Sequence, residues 1–324
     1  MDHAVARANG NVPLIQSWGM REPTLNLPYT GSLSLTLDGL PSTVAWENRP
    51  DLSADRFTID ERPAAGSVAD RLRRYVDLIR ERAGRTTRCA IVIQTPAGGM
   101  GGTGSTTAAV AALALAGSVA LDLPTTPREL SMLARLGTSS AARSVFGGFV
   151  EGVGGELGDG SDCYAEPLAP PQHWPLAAVI AVIERGTALA PGAHDLKRSP
   201  FFPAWLEEHE HDLVAVREAV LARDLERLGA AIEHHCLKAR AVALAAKPSI
   251  ISWAPATLAA IERIHVLRAG GRAAYFTVAA GPHVTALCAP EDAAAVAQAL
   301  GDVPGVARVL RSGPGEGATV VRSA

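Results

Sequence analysis

Apolar and polar residues alternate through Leu33-Ser34-Leu35-Thr36-Leu37, the period of two expected of a half-buried strand. After Ser67 the period lengthens to that of a helix, with Val68, Leu72, Tyr75, Val76 and Ile79 on one face. Ser67, with Asp70 three residues on, reads as its cap and Gly84 as its stop. The apolar run 89–93 reads as a buried strand, and the Ala-rich run 108–116 as a buried helix. Thr126 and Pro127 open a helix over 129–136, followed by a small-residue loop at 137–143. Residues 167–175 are rich in proline and read as a domain junction. Beyond them come a buried strand at 176–183 and helices over 212–221, 225–245 and 255–267. The tail reads strand (273–278), strand (284–288), helix (290–300) and strand (307–310). Strands interleaved with helices at this spacing predict an α+β fold, and no internal repeat is present. The expected division is an N-terminal domain over 1–172 and a C-terminal domain over 173–324.

Between the strand at 89–93 and the helix at 108–116 lies Pro96-Ala97-Gly98-Gly99-Met100-Gly101-Gly102-Thr103-Gly104-Ser105-Thr106-Thr107. A glycine-rich turn entering a helix leaves backbone N–H groups and the positive end of the helix dipole facing one concavity, which suits a phosphate. The segment is neither a Walker A loop, lacking Gly-Lys-Ser/Thr, nor a GxGxxG turn. The bland alternative is a flexible Gly/Ser linker, and the buried elements on both sides argue against it. Gly101, Gly102, Gly104, Ser105 and Thr106 are therefore candidate nucleotide-binding residues, with Ser105 also a candidate metal contact.

Composition narrows the class. The 324 residues are 48% hydrophobic, enough for a large core, and the formal charge of −3 with no basic run excludes a nucleic-acid footprint. No apolar stretch reaches membrane-spanning length uninterrupted, and the N-terminus does not read as a signal peptide. Four scattered cysteines without a CxxC pair suit a reduced, cytoplasmic protein. His209-Glu210-His211 and His234-His235 lack the spacing of a metal site and read as solvated helix faces. Trp174, Phe201 and Phe202 read as packing between domains.

Four blocks resemble the mevalonate diphosphate decarboxylase family of the GHMP kinase superfamily. Residues 11–21, Asn-Val-Pro-Leu-Ile-Gln-Ser-Trp-Gly-Met-Arg, are similar to the family's N-I-A-x-I-K-Y-W-G-K-R, and 25–28 with 32–37 to its L-N-L-P and S-L-S-V-T-L segments. Residues 102–108, Gly-Thr-Gly-Ser-Thr-Thr-Ala, resemble its nucleotide loop G-L-A-S-S-A-A. Residues 134–150 resemble A-R-x-G-S-G-S-A-C-R-S-x-Y-G-G-F-V almost throughout, and Ala280-Gly281-Pro282-His283 resembles its C-terminal D-A-G-P-N. The resemblance implies a two-domain GHMP kinase fold with ATP and Mg2+ in a cleft between domains. It implies phosphorylation of the 3-hydroxyl of mevalonate diphosphate, then loss of phosphate and CO2 to give an alkene. A homodimer is expected.

Carried over residue by residue, the resemblance gives Arg143 as the grip on the substrate carboxylate, a task suited to a bidentate guanidinium. Thr138 and Ser140 fall near the substrate's phosphates, with Ser140 assigned beside Arg143 to catalysis and Ser139 counted among the substrate-binding residues. Trp18, Gln16 and Ala279 fall on substrate-binding positions. Two of these are departures. The family's catalytic aspartate falls on Ala279, its first lysine on Gln16 and its second on Met20. Alanine cannot deprotonate or orient a hydroxyl. The mevalonate 3-kinases, a related branch that stops at the phosphorylated product, depart at the same positions. Asp162, Glu166 and Asp195 are candidate substitute acids.

Three functional alternatives therefore stay open: a kinase acting on a small hydroxy-carboxylate, a decarboxylase of a non-diphosphorylated 3-hydroxy acid, and a ligand-binding homologue without turnover. The lost lysines predict a less anionic substrate than mevalonate diphosphate.

Overall fold

The structure, a computed structural model, describes residues 2–95, 104–184 and 196–323. The first half runs β1 (His3–Ile15), β2 (Met20–Glu22), β3 (Leu27–Pro28), β4 (Ser32–Asn48), β5 (Arg56–Ile59), β6 (Arg62–Pro63), α1 (Gly66–Ala83), β7 (Cys89–Gln94), α2 (Ser105–Ala120), α3 (Pro127–Gly137), β8 (Phe149–Gly152) and β9 (Ala165–Ala169). The second runs β10 (Ala177–Ile183), α4 (Phe202–Ala222), α5 (Leu225–Ala245), α6 (Pro255–Ala269), β11 (Ala274–Val278), β12 (Val284–Cys288), α7 (Ala293–Gly301), β13 (Val306–Ser312) and β14 (Thr319–Ser323). The predicted α+β class holds.

One sheet has the order β14-β1-β4-β7-β5-β6, with β8 and β9 continuing from the first half of β4. The long β4 serves two neighbourhoods. Its beginning pairs with β8 through Leu35 and Phe149, and its end with β7 through Trp46 and Ile91. A second, antiparallel sheet has the order β11-β12-β10-β13. The closing strand β14 returns to the first sheet and pairs with β1, as in Ala4↔Ser323.

The two sheets share apolar packing. Leu33, Leu35 and Phe149 of the first sheet lie in one buried cluster with Ala178, Leu213, Leu228 and Leu287. Trp174 stacks on Phe149 at 6.2 Å between ring centres, within this junction. Phe202 is buried and meets Tyr29 edge-on at 5.3 Å, whereas Phe201 is exposed.

Several expectations are corrected. Helix α1 begins at Gly66, so Ser67 lies inside its first turn and no side chain caps it; Val68 is exposed. Gly84 does end the helix, with φ of 62°. The small-residue loop after α3 is a 3₁₀ helix over Ser139–Val145. Helix α4 starts ten residues before the predicted one, because its Pro-Ala-Trp first turn hides the periodicity. Strand β1 was not predicted. Its Asn9, Gly10, Asn11 and Pro13 interrupt the alternation, yet both asparagines are buried and used.

Candidate active site

Helix α2 presents its N-terminus from Gly104, whose φ of 91° favours glycine. A Cβ there would sit 3.0 Å from the Asn11 carbonyl oxygen and 3.2 Å from its nitrogen. Among the described residues no side chain caps this helix end, and no acid lies in its first turn, so the helix pole favours an anion. Ser105 is buried, with its carbonyl accepting a bond from Ser42 Oγ (3.2 Å); Thr106 is exposed. Gly101 and Gly102 lie outside the described residues.

Asn11 ties this pole to the second loop. Its Nδ2 donates to Ser140 O (3.1 Å) and Ser144 Oγ (2.8 Å), and Ser144 Oγ donates to Thr107 Oγ1 (3.4 Å). Thr138 is extended, and its carbonyl accepts Ala141 N at 2.9 Å, which starts the 3₁₀ turn carrying Ser139, Ser140 and Arg143. That turn drives Arg143 into the protein. Its Nε donates to Ser34 Oγ (3.0 Å) and its Nη1 to Ser32 Oγ (2.6 Å), both on β4.

Arg143 forms no ion pair with a carboxylate among the described residues, and desolvation pulls its pKa down to about 10, so it stays charged at neutral pH. It lines a pocket of about 20 Å³, the size of a water site, with Ser17, Ser32, Arg135, Ser139 and Tyr164. Arg135 is buried too and donates to Leu25 O (2.6 Å) and Gly160 O (3.2 Å); burial lowers its pKa. Two buried guanidiniums held by neutral oxygens line one pocket, a charge arrangement that suits an anion because a buried cation is costly until it is paired.

Residues 16–18 connect this pocket to the second sheet. Ser17 lines the pocket, while Gln16 Nε2 donates to Val278 O at 2.9 Å, one residue before Ala279. Trp18 lies under the Arg240 guanidinium, 4.7 Å from its ring centre, and Arg240 Nη2 donates to Ala279 O at 2.9 Å. Gln16, Trp18 and Ala279 are thus neighbours, and α5 supplies a cation beside them.

The backbone of Gln16 is fixed from behind. Its N–H donates to His235 Nε2 (3.0 Å), His235 Nδ1 donates to Asp212 Oδ2 (2.8 Å), and Lys238 Nζ meets Asp212 Oδ1 (2.8 Å). Burial would raise the pKa of Asp212, but the bonds from His235 and Lys238 outweigh it and the net shift is downward. His209 stands 5.3 Å from His235 between ring centres and 2.9 Å from Gly31 O; burial is the main cause holding its pKa at about 4. The solvated-face reading is therefore corrected for His209 and His235, which are buried between α4, α5 and the first sheet. Glu210 and His211 of the first trio are exposed, as is His234 of the second pair.

The candidate acids differ in placement. Asp162 Oδ2 accepts Glu156 N (2.6 Å) and Leu157 N (3.0 Å), holding a loop beside an open cleft of about 590 Å³ lined also by Tyr164 and His209. Glu166 is exposed on β9, and Asp195 lies outside the described residues. No group of three His, Cys, Asp or Glu among the described residues is arranged to hold a metal ion. No helix there is long and apolar enough to cross a membrane.

Comparison with known proteins agrees with this geometry. The model of the diphosphomevalonate decarboxylase-like N-terminal domain matches residues 8–165. The diphosphomevalonate decarboxylase of Ganoderma lucidum is 30% identical over 306 residues, covering 86% of this chain and 76% of its own. The chain belongs to the diphosphomevalonate decarboxylase family. The family's phosphomevalonate decarboxylase of Haloferax volcanii is 28% identical over 265 residues, 82% of this chain and 81% of that one. Among solved structures, MDDEF in complex with MVAPP, AMPPCP and magnesium superposes with a TM-score of 0.92 at 30% identity, over 99% of both chains. The fold is accordingly the two-domain GHMP kinase fold of this enzyme family.

Sequence reasoning missed Arg135, Arg240 and the Asp212–His235 pair. Arg240 and His235 belong to a long helix whose polar residues look like a solvated face, and only the packing of α4 and α5 against β1 reveals them.

Proposed function

We propose that the chain uses ATP with Mg2+ to phosphorylate the 3-hydroxyl of a small, mevalonate-like hydroxy-carboxylate. The observation that carries this reading is Arg143: a buried guanidinium with only serine hydroxyls as hydrogen-bond partners among the described residues, tied through Asn11 and Ser144 to a helix pole that no side chain there caps. In it, Gly101, Gly102, Gly104, Ser105 and Thr106 bind the nucleotide's phosphates. Arg143 grips the substrate carboxylate, Ser140 acts beside it, and Thr138, Ser139, Trp18, Gln16 and Ala279 line the substrate. The neighbour bound to AMPPCP and magnesium supports the nucleotide and metal.

Magnesium takes few protein ligands and keeps phosphate oxygens and waters, so a hydroxyl such as Ser105 fits better here than an all-protein cage. When bound, it neutralises charge on the transferring phosphates. The chain's part is positioning. Orientation of carboxylate, hydroxyl and phosphate supplies much of the rate in such transfers.

Whether CO2 follows is the second reading, an ATP-dependent decarboxylation of an acid carrying fewer than two phosphates. Uncharged Gln16 and Met20 favour the smaller anion, and the name of the Haloferax volcanii relative specifies a phosphomevalonate. A binding protein without turnover is the third. The same proposal takes the domains as 1–172 and 173–324, with β14 crossing back, and the protein as a cytoplasmic homodimer.

The test is incubation with ATP, Mg2+ and, in turn, mevalonate, phosphomevalonate and diphosphomevalonate, following ADP and CO2. The proposal expects ADP with at least one acid, and less efficient use of the diphosphate. ADP formation with none of the three would sink the enzyme reading.

A further inference from the structure

At the second sheet's end of the site, a buried acceptor and a buried donor have no hydrogen-bond partner among the described residues. Gln16 is buried, and its Nε2 is committed to Val278 O, so its Oε1 points away from that carbonyl; this oxygen has no donor among the described residues. Arg240 is 2% exposed, and its Nε has no acceptor among them. Its Nη1 and Nη2 donate to Ser252 Oγ and Ala279 O, and the rings of Trp18 and Trp253 stand at 4.7 and 5.1 Å. No carboxylate accompanies it among the described residues. A buried acceptor and a buried cation left open at adjacent carbonyls, 278 and 279, are costly unless a ligand completes them.

We propose that Arg240 and Gln16 together read the group undergoing phosphorylation, with Gln16 Oε1 accepting from the substrate hydroxyl and Arg240 holding the arriving phosphoryl oxygens. This deepens the proposed function and rests on its placement of the substrate against Gln16, Trp18 and Ala279. An aspartate at 279 would sit against Arg240 and neutralise it. Alanine leaves the guanidinium to the ligand, and the uncharged Gln16 brings no second cation. In the step, the hydroxyl oxygen forms the new O–P bond as the bond between the nucleotide's β-phosphate and the γ-phosphorus breaks. ADP leaves with that electron pair. The hydroxyl proton passes to an oxygen of the transferred phosphoryl group, so no protein base is consumed. A loose transition state permits this order because little negative charge builds on the attacking oxygen. A fork of fixed donors suits the spread charge of the phosphoryl oxygens.

The alternative is that Arg240 merely fastens the segment around Ser252 to β11. Arg240→Gln, Arg240→Lys and Gln16→Leu separate the two. With the best acid from the panel above, Arg240→Gln should lower kcat about 100-fold while KM for ATP stays within about threefold. Arg240→Lys, which keeps charge and bulk, should lose about tenfold in kcat at an unchanged melting temperature. Gln16→Leu should raise KM for the acid and lower kcat together. An Arg240→Lys enzyme with wild-type kcat would overturn the proposal, even if Arg240→Gln proves unstable. A second measurement is independent of turnover. Pyrophosphate titrated into the wild-type protein should change tryptophan fluorescence through Trp18 and Trp253, and Arg240→Lys should weaken that response. An enzyme that forms no ADP yet keeps the Arg240-dependent response refutes the kinase reading and leaves the anion site standing. Equal responses in both proteins refute the site.

Discussion

Arg143 and His209 are both buried ionisable groups, but burial leaves one charged and the other neutral. Arg143 keeps its charge because desolvation lowers its pKa only to about 10 and two serine hydroxyls receive its donors. Arg143→Met should lower kcat/KM for the acid by about 100-fold or more, since a charge-assisted pair in a desolvated pocket is lost; steady-state kinetics at fixed ATP checks it. His209, held at a pKa of about 4, favours the opposite state. The unfolded chain protonates near pH 6.5 and the folded one far lower, so acid draws the chain toward unfolding. The contribution of His209 is complete above about pH 6.5 and is lost as the pH falls toward 4. Its loss is worth about 2 kcal/mol between about pH 6.5 and 4.5. Denaturant unfolding of His209→Gln across that range should show a correspondingly flatter acid limb than the wild type. A parallel pair of limbs would contradict the assignment.

At the scale of elements, the ends of helices carry the testable content. Thr126 and Glu129 cap α3 reciprocally, Glu129 N donating to Thr126 Oγ1 (3.2 Å) and Thr126 N to Glu129 Oε2 (2.8 Å). Thr126→Ala should cost about 1 kcal/mol of stability with kcat unchanged, read by denaturant unfolding and kinetics on one preparation. Gly104→Ala should act differently. The strained φ and the contact with Asn11 should disturb the α2 pole itself, costing about 1–2 kcal/mol and raising KM for ATP. These two helices also show what the residues alone reveal. The capping pair of α3 and the glycine turn before α2 are local chemistry, visible in neighbouring letters. Strand β1 is not, because its buried Asn11 looks like a turn until Ser140 and Ser144 come round to meet it. Helix α5 lies where the pattern predicts it, over 225–245, but its buried polar residues are not legible there. His235 and Arg240 lie among polar neighbours, and their burial depends on α4 and β1, distant in the chain.

For the whole molecule, the site is assembled from both sheets. The first sheet and its 3₁₀ turn bring Arg143 and the α2 pole together, while β11 and α5 bring Ala279 and Arg240 to Gln16 and Trp18. Family membership accounts for the shared scaffold, and in the proposed function Gln16, Met20 and Ala279 set what this chain does differently. Replacing Ala279 with Asp should pair with Arg240 and, where that guanidinium handles phosphoryl charge, lower the rate rather than raise it; ADP release by Ala279→Asp checks this. The central claim is that a phosphoryl group moves from ATP to a tertiary hydroxyl in this cleft. The most direct measurement is phosphorus NMR of a mixture of enzyme, ATP, Mg2+ and the mevalonate panel, with CO2 trapped from carboxyl-labelled acid in parallel. The predicted result is ADP together with a new phosphomonoester resonance, or ADP with inorganic phosphate and CO2 in equal amounts. ATP unchanged beside every acid, with the enzyme folded throughout, would contradict the account.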